Sequence, residues 1–265
     1  MGFEGTRIGF DIYEALQRES PTGLTLHAVA NWIEQLRMVK SDDEIAAIRK
    51  SVDTNSRAYD SVLKMIRPGM RESEIAAEFE YQMRRGGAEK PAFETIVAAG
   101  PRSALPHAHP TDHRLAVNQL LLIDMGASQA GYASDMTRVV SLGKPKARAK
   151  AVYTAVLKAQ LAALSAVRDG VTAGAVDRAA RQALRGYRMD TFFIHSTGHG
   201  LGLEIHEPPR IGKRDKTVLK KGMVITIEPG VYIEGSFGVR IEDTVLVTGQ
   251  GCEILTPTPK ELTVL

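Results

Sequence analysis

The chain has 265 residues, 43% of them hydrophobic, and a formal net charge of only +3 at pH 7. That length and apolar content can bury one substantial core. The interspersed charges argue against a nucleic-acid groove or a membrane surface, no apolar run reaches spanning length, and the lone Cys252 excludes an intramolecular disulfide and fits a reducing cytoplasm.

Residues 1–10 have neither the charged start nor the apolar core of a secretory signal. A short strand is expected at 8–10 and a short helix over 11–18, broken by Ser20-Pro-Thr-Gly. Residues 1–40 are too few to carry a core, so the chain divides into that piece with its linker and a main domain over 41–265. Ser41-Asp-Asp-Glu is a capping-box signature that opens a long helix toward Ile66. Ile45, Ile48, Val52, Tyr59 and Val62 recur along it at helical spacing. Pro68-Gly69 ends it, and a second helix runs over 73–85 until Gly86-Gly87. Strands are expected at 93–98, 119–125 and 132–141, then helices over 147–168 and 175–184. The remainder returns to strands at 192–195, 224–228, 231–233, 239–247 and 253–255. The class is α+β with a mainly antiparallel sheet.

Four carboxylates stand at matched places in the two halves. Asp124 closes Leu120-Leu-Leu-Ile-Asp, and Asp135 opens Asp135-Met-Thr-Arg-Val-Val. About a hundred residues later Glu228 closes Met223-Val-Ile-Thr-Ile-Glu, and Glu242 opens Glu242-Asp-Thr-Val. Arg67-Pro-Gly-Met likewise recurs as Arg168-Asp-Gly-Val, which marks an internal duplication. Apolar strands that deliver acids to one place are untenable without a cation between them. Four such acids can neutralise two divalent ions, and an imidazole donor would select manganese, cobalt, zinc or iron over calcium or magnesium. His195, His199 and His206 fall within twelve residues among tight glycines, and the expectation is that these glycines let backbone approach a ligand. His107 and His109 offer a second source, one functional and the other solvated. His27 and His113 have no supporting context.

Taken jointly, Ser103-Ala-Leu-Pro-His, Asp124 with Asp135 eleven residues on, Gly198-His-Gly-Leu-Gly-Leu-Glu-Ile-His-Glu, Ile227-Glu-Pro-Gly-Val-Tyr and Gly238-Val-Arg-Ile-Glu-Asp-Thr carry a resemblance. Over residues 36–258 the chain resembles the pita-bread metallopeptidases, in their Xaa-Pro aminopeptidase and Xaa-Pro dipeptidase (prolidase) branch. The resemblance implies a pseudo-two-fold duplicated fold, with a curved, mainly antiparallel sheet and outer helices. It implies two divalent ions, manganese first with cobalt or zinc as alternatives, held by Asp124, Asp135, His199, Glu228 and Glu242. Asp135 and Glu242 would bridge, and Glu228 would shuttle a proton. His206 would stabilise the oxyanion, His107 and His195 would orient substrate and assist proton transfer, Arg240 would hold a bridging carboxylate or reach substrate, and Tyr232 would line the same cavity. The implied partner is a peptide with proline in second position, and a homodimer is compatible with it. Residues 1–40 resemble only the end of the branch's N-terminal domain, so the expected cleft is open and aminopeptidase action is expected ahead of strict dipeptidase action.

Rival readings are weaker. Methionine aminopeptidase shares the five ligand types, but His195, Pro-Gly-Val-Tyr after Glu228, and Asp243 after Glu242 resemble the proline branch. A non-catalytic peptide-binding relative would be expected to lose a ligand, and none is lost. No G-x-S-x-G elbow supports a serine nucleophile, and the glycines around His199 do not follow a dinucleotide-loop spacing.

Overall fold

The capping box read at Ser41 forms: Ser41 Oγ accepts from the Glu44 amide at 3.3 Å, and the Glu44 carboxylate accepts from the Ser41 amide at 2.8 Å. It opens Asp42–Leu63, the longest helix in the computed structural model, which describes residues 1–265. By its internal contacts the chain divides into two units, Met1–Arg37 and Met38–Leu265.

In the first unit Gly2–Glu4 pairs in parallel with His27–Val29, and the helix Phe10–Glu19 has no buried residue. The strand expected at 8–10 is absent. Gly9 is instead the extended N-cap of that helix, and Asp11 sits in its first turn, where a negative charge is favourable.

In the second unit two helix hairpins accompany two sheets. With Asp42–Leu63 and Glu72–Arg85 goes a four-stranded sheet ordered Thr263–Val264, Met136–Leu142, Gln119–Met125, Ile96–Ala99. With Ala147–Ala166 and Ala173–Gly186 goes a five-stranded sheet ordered Glu207–Ile211, Gly198–Gly200, Val224–Ile227, Asp243–Val247, Cys252–Ile254. Neighbours pair antiparallel in both, except Thr263–Val264 with Met136–Leu142. A short antiparallel hairpin joins Gly230–Ile233 to Phe237–Arg240. No helix is long and apolar enough to cross a membrane.

The strand Gln119–Met125 is buried on both faces because alternate side chains enter different clusters. Leu121, Ile123 and Met125 join Ile75 and Phe79, whereas Leu120 and Leu122 join Val152, Val176 and Ile225. Asp124 continues the second row, so an apolar strand carries a carboxylate to the edge of that core.

Two runs read as continuous strands are broken where the acids lie. Tyr132–Ala133 and Met136–Leu142 are separated at Ser134 and Asp135, and Phe237–Arg240 and Asp243–Val247 at Ile241 and Glu242. Between the two acid-bearing strands Ala127–Gln129 folds back to pair antiparallel with Tyr132–Ala133. Gly126 permits that crossing, because a Cβ there would lie 2.1 Å from the Ser134 carbonyl oxygen. No strand forms at 192–195. The carbonyls of Phe193 and His195 accept from the Arg181 guanidinium instead, which removes two ladder acceptors from that segment.

Candidate metal centre

Asp124 and Thr137 are directly paired across adjacent strands, so their side chains share a face. Thr137 Oγ1 donates to Glu242 Oε2 at 2.6 Å and accepts from Arg240 Nε at 2.9 Å. Arg240 also forms an ion pair with Asp124 and donates to Tyr232 Oη at 2.7 Å. Thr244, two residues beyond Glu242 as Thr137 is beyond Asp135, donates to the Asp135 carbonyl at 2.8 Å. The acids of one half are thus held by threonines of the other.

His199 sits on the short strand Gly198–Gly200, and its amide donates to Thr226 Oγ1 at 3.1 Å. Its Nδ1 donates to the Gly200 carbonyl at 3.0 Å, which leaves the Nε2 lone pair facing 3.5 Å from both Asp135 Oδ2 and Glu228 Oε1. The flanking glycines serve packing rather than ligand approach. A Cβ at Gly198 would meet the Thr226 carbonyl oxygen at 1.9 Å, and one at Gly200 the Pro208 carbonyl oxygen at 2.3 Å. Glu228 is fixed from behind, its amide donating to the Thr197 carbonyl at 2.7 Å.

The donor atoms of Asp135, His199 and Glu242 all lie within 4.8 Å of one another. Asp124 stands apart on Arg240, and Glu228 joins through His199; all five residues line one cavity of about 760 Å³. Asp124 Oδ1, Asp135 Oδ1 and Glu242 Oε1 are buried without a hydrogen-bond partner. Burial, then neighbouring carboxylate charge, raises the pKa of Asp135 and Glu242 well above the usual range; burial also raises that of Glu228. Orphaned carboxylate oxygens around an imidazole lone pair are the donor set a divalent ion completes, and Arg240 is one charge against four acids. The residues present fit such ions.

The other expected residues divide by their bonds. His195 Nδ1 donates to the Ser196 carbonyl at 2.8 Å, and its Nε2 accepts from Tyr232 Oη at 2.9 Å. Tyr232 already accepts from Arg240, so its one proton goes to His195 and both ring nitrogens are engaged. Burial, reinforced by the Arg240 charge, pushes the His195 pKa down to about 3, and burial pushes the Tyr232 pKa up to about 12. His206 and His107 are exposed at the cavity wall. The His206 ring lies 4.4 Å from that of His199, and its pKa is lowered by burial and then by His199. His109 is exposed on a Glu94 carboxylate at 2.8 Å.

Two anchoring groups were missed in the sequence. Glu72 is fully buried and accepts from Ala99 N, Arg102 Nε, Thr111 N and Thr111 Oγ1, tying down the loop that carries His107. Lys40 Nζ pairs with Glu207 at 3.1 Å, both side chains almost wholly buried, beside His206. In the sequence Glu72 looks like an ordinary acid at a helix start, and no local signal joins residues 40 and 207.

Residues 46–249 match metallopeptidase family M24. The chain is 45% identical over 262 residues to a Xaa-Pro dipeptidase of Pyrococcus furiosus, covering 99% of this chain and 75% of that one. A Xaa-Pro dipeptidase structure from Bacillus anthracis superposes with a TM-score of 0.97 at 39% identity, over 100% of this chain and 74% of that one. An X-Pro aminopeptidase structure from Thermotoga maritima gives 0.93 at 41% identity, over 100% and 75%. The architecture is the pita-bread fold that the sequence motifs resembled. The chain belongs to metallopeptidase family M24 and is a metallo-exopeptidase.

Proposed function

We propose that the protein hydrolyses the bond between an N-terminal residue and a proline in second position, acting as an Xaa-Pro aminopeptidase. Strict Xaa-Pro dipeptidase action is the alternative, and the names of its relatives include both activities. The observation that carries the reading is the set of orphaned buried carboxylate oxygens gathered around His199 Nε2. Two divalent ions, manganese first, would be held by Asp124, Asp135, His199, Glu228 and Glu242. When bound, such ions supply Lewis-acid polarisation and make water a nucleophile near neutral pH.

The chain's own residues do the rest. Glu228 Oε1 accepts from Thr226 Oγ1 at 3.3 Å, which leaves Oε2 to take and return the proton of the attacking water. His206, neutral by the direction of its pKa, offers one ring N–H to the oxygen that gains charge at the scissile carbonyl. His107 orients the peptide from the wall that Glu72 anchors. His195 acts through Tyr232, which it holds on Arg240, and not by a free N–H of its own. Proline has no amide N–H and a fixed φ, so a wall shaped to the ring selects it by sterics. Specificity constants for an Xaa-Pro dipeptide, an Xaa-Pro pentapeptide and a Met-Ala peptide test the reading. Strong preference for the dipeptide would make the enzyme a prolidase, and preferential methionine release would overturn the proline assignment.

A further inference from the structure

Resting on the role given to His206 above, we propose that Lys40 is a positioning residue for the reaction. Through Glu207 it fixes the loop that aims the His206 ring at the metal centre. That loop leaves the strand of His199 at Gly200 and returns at Glu207, which pairs with Gly200 across the sheet. Residues 201–206 lie outside any helix or strand. The His206 ring makes no hydrogen bond to the chain. It meets the His199 ring edge-on, with 4.4 Å between centroids, so its aim comes from the backbone beneath it. Glu207 follows directly, and whatever fixes the Glu207 side chain fixes the base of that ring.

Lys40 is a rigid post. Its amide donates to the Gly222 carbonyl at 2.9 Å, Val39 before it forms a β-bridge with Met223, and Ser41 after it caps the helix Asp42–Leu63. Met223 leads into the strand Val224–Ile227, which ends at Glu228 and pairs with the strand of His199. The ammonium is therefore tied to the frame that carries two of the expected ligands. From there Nζ reaches Glu207 Oε2 at 3.1 Å, with the two side chains only 2% and 3% exposed. Glu207 Oε1 in turn accepts from the Glu204 amide at 3.1 Å, which folds the loop back on its own end. Gly202 leaves the space for this pair. A Cβ there would lie 2.9 Å from both Glu207 carboxylate oxygens and 3.0 Å from Lys40 Cε. A buried ion pair adds little net stability, because desolvation offsets the attraction. What it supplies is a charge-assisted bond of fixed length and direction, one residue from a ring whose task tolerates little misplacement.

The test uses the metal-loaded protein with Ala-Pro-Gly-Gly-Gly as substrate. In Lys40→Met/Glu207→Gln the new amide still accepts from Glu204 and no bare charge is buried, so the melting temperature should stay near wild type. Metal per chain and KM should also hold, while kcat falls about tenfold to a hundredfold, the scale of a displacement near 1 Å. Gly202→Ala moves the carboxylate without removing either charge, and it should lower kcat in the same direction. The deciding measurement repeats Lys40→Met/Glu207→Gln in a His206→Ala background. A residue that acts only through His206 has nothing left to position there, so kcat should change by less than about twofold. A loss that multiplies with that of His206→Ala overturns the proposal. So does a fall in metal per chain that accounts for the lost turnover, or wild-type kcat in both Lys40→Met/Glu207→Gln and Gly202→Ala. Undiminished kcat in His206→Ala alone would instead overturn the reading of His206 on which the proposal rests.

Discussion

In the first half of the catalytic unit the Gly69 amide donates to the Leu115 carbonyl at 2.7 Å; in the second the Gly170 amide donates to the Leu219 carbonyl at 2.9 Å. Leu115 returns a bond to Met70, and Leu219 returns one to Val171. The same short ladder therefore precedes the second helix of each hairpin. The first residue of that helix differs: Glu72 in one half, Ala173 in the other. Glu72 is a buried carboxylate that anchors the His107 loop, whereas Ala173 is plain core. The second half places its histidine on a strand hemmed by two glycines. A duplicated backbone fixes where side chains point, and single differences at matched positions then divide the labour.

The largest way to break the symmetry is at Asp135, one of the acids proposed to hold the ions. Asp135→Ala should abolish hydrolysis and lower bound metal per chain, read by elemental analysis, with the far-ultraviolet circular dichroism unchanged. Chelation of the wild type should act likewise and lower its melting temperature, because ions that bind only the folded state stabilise it. Full activity after either treatment would exclude metal chemistry. Next in size is His206→Ala, expected to lose about two to three orders of magnitude in kcat with metal content intact, the scale of one oxyanion donor. A fall in metal content without a fall in kcat per metal would make His206 a ligand.

Glu72→Ala tests the asymmetry of the matched helix starts. It leaves the amides of Ala99 and Thr111 without their acceptor while the stranded Arg102 is partly exposed, so it should cost about 1–3 kcal/mol in denaturant unfolding. Metal should stay bound while turnover drops through the His107 loop. Thr137→Val and Thr244→Val then compare the two crossed threonines. Thr137 touches the Glu242 carboxylate, so its loss should weaken metal affinity by about 10–100-fold, as for other groups that orient a ligand. Thr244 touches only the Asp135 backbone, so its loss should lower stability by about 1 kcal/mol and leave affinity close to wild type.

The acids were legible because strand alternation is local: Leu120, Leu122 and Asp124 must share a face wherever the strand lies. Helix starts were legible for the same reason, through caps and glycine stops. The breaks at Asp135 and Glu242 were not, since strand-like runs continue on either side of them and it is bonds to the opposite half that interrupt the ladder. The segment 192–195 has strand composition, yet Arg181 captures two of its carbonyls from a helix. Likewise the glycines beside His199 looked like room for a ligand and prove to be room for neighbouring backbone. These three misses turn on contacts outside the segment itself, whereas the strand expected at 8–10 gave way to a local helix start at Gly9.

The smallest test lies at the starts of the first helices, where the halves differ in chemistry alone. Asp42–Leu63 begins with a complete capping box and three acids, Asp42, Asp43 and Glu44, in its first turn. Ala147–Ala166 begins at Lys146 with no side-chain cap and no acid in its first turn, where Arg148 and Lys150 oppose the positive end of the helix dipole. Lys146 already has the extended backbone of a cap, at φ −62° and ψ 149°, so a serine there needs no rearrangement. Ser41→Ala should therefore cost about 1 kcal/mol, and Lys146→Ser should return a similar amount. In a unit of this size that amount moves the melting temperature by about 2–4 °C, downward for the first and upward for the second, with kcat unchanged in both. A Lys146→Ser variant that melts no higher would mean that the second hairpin is held by its packing on the sheet and draws nothing from its own start.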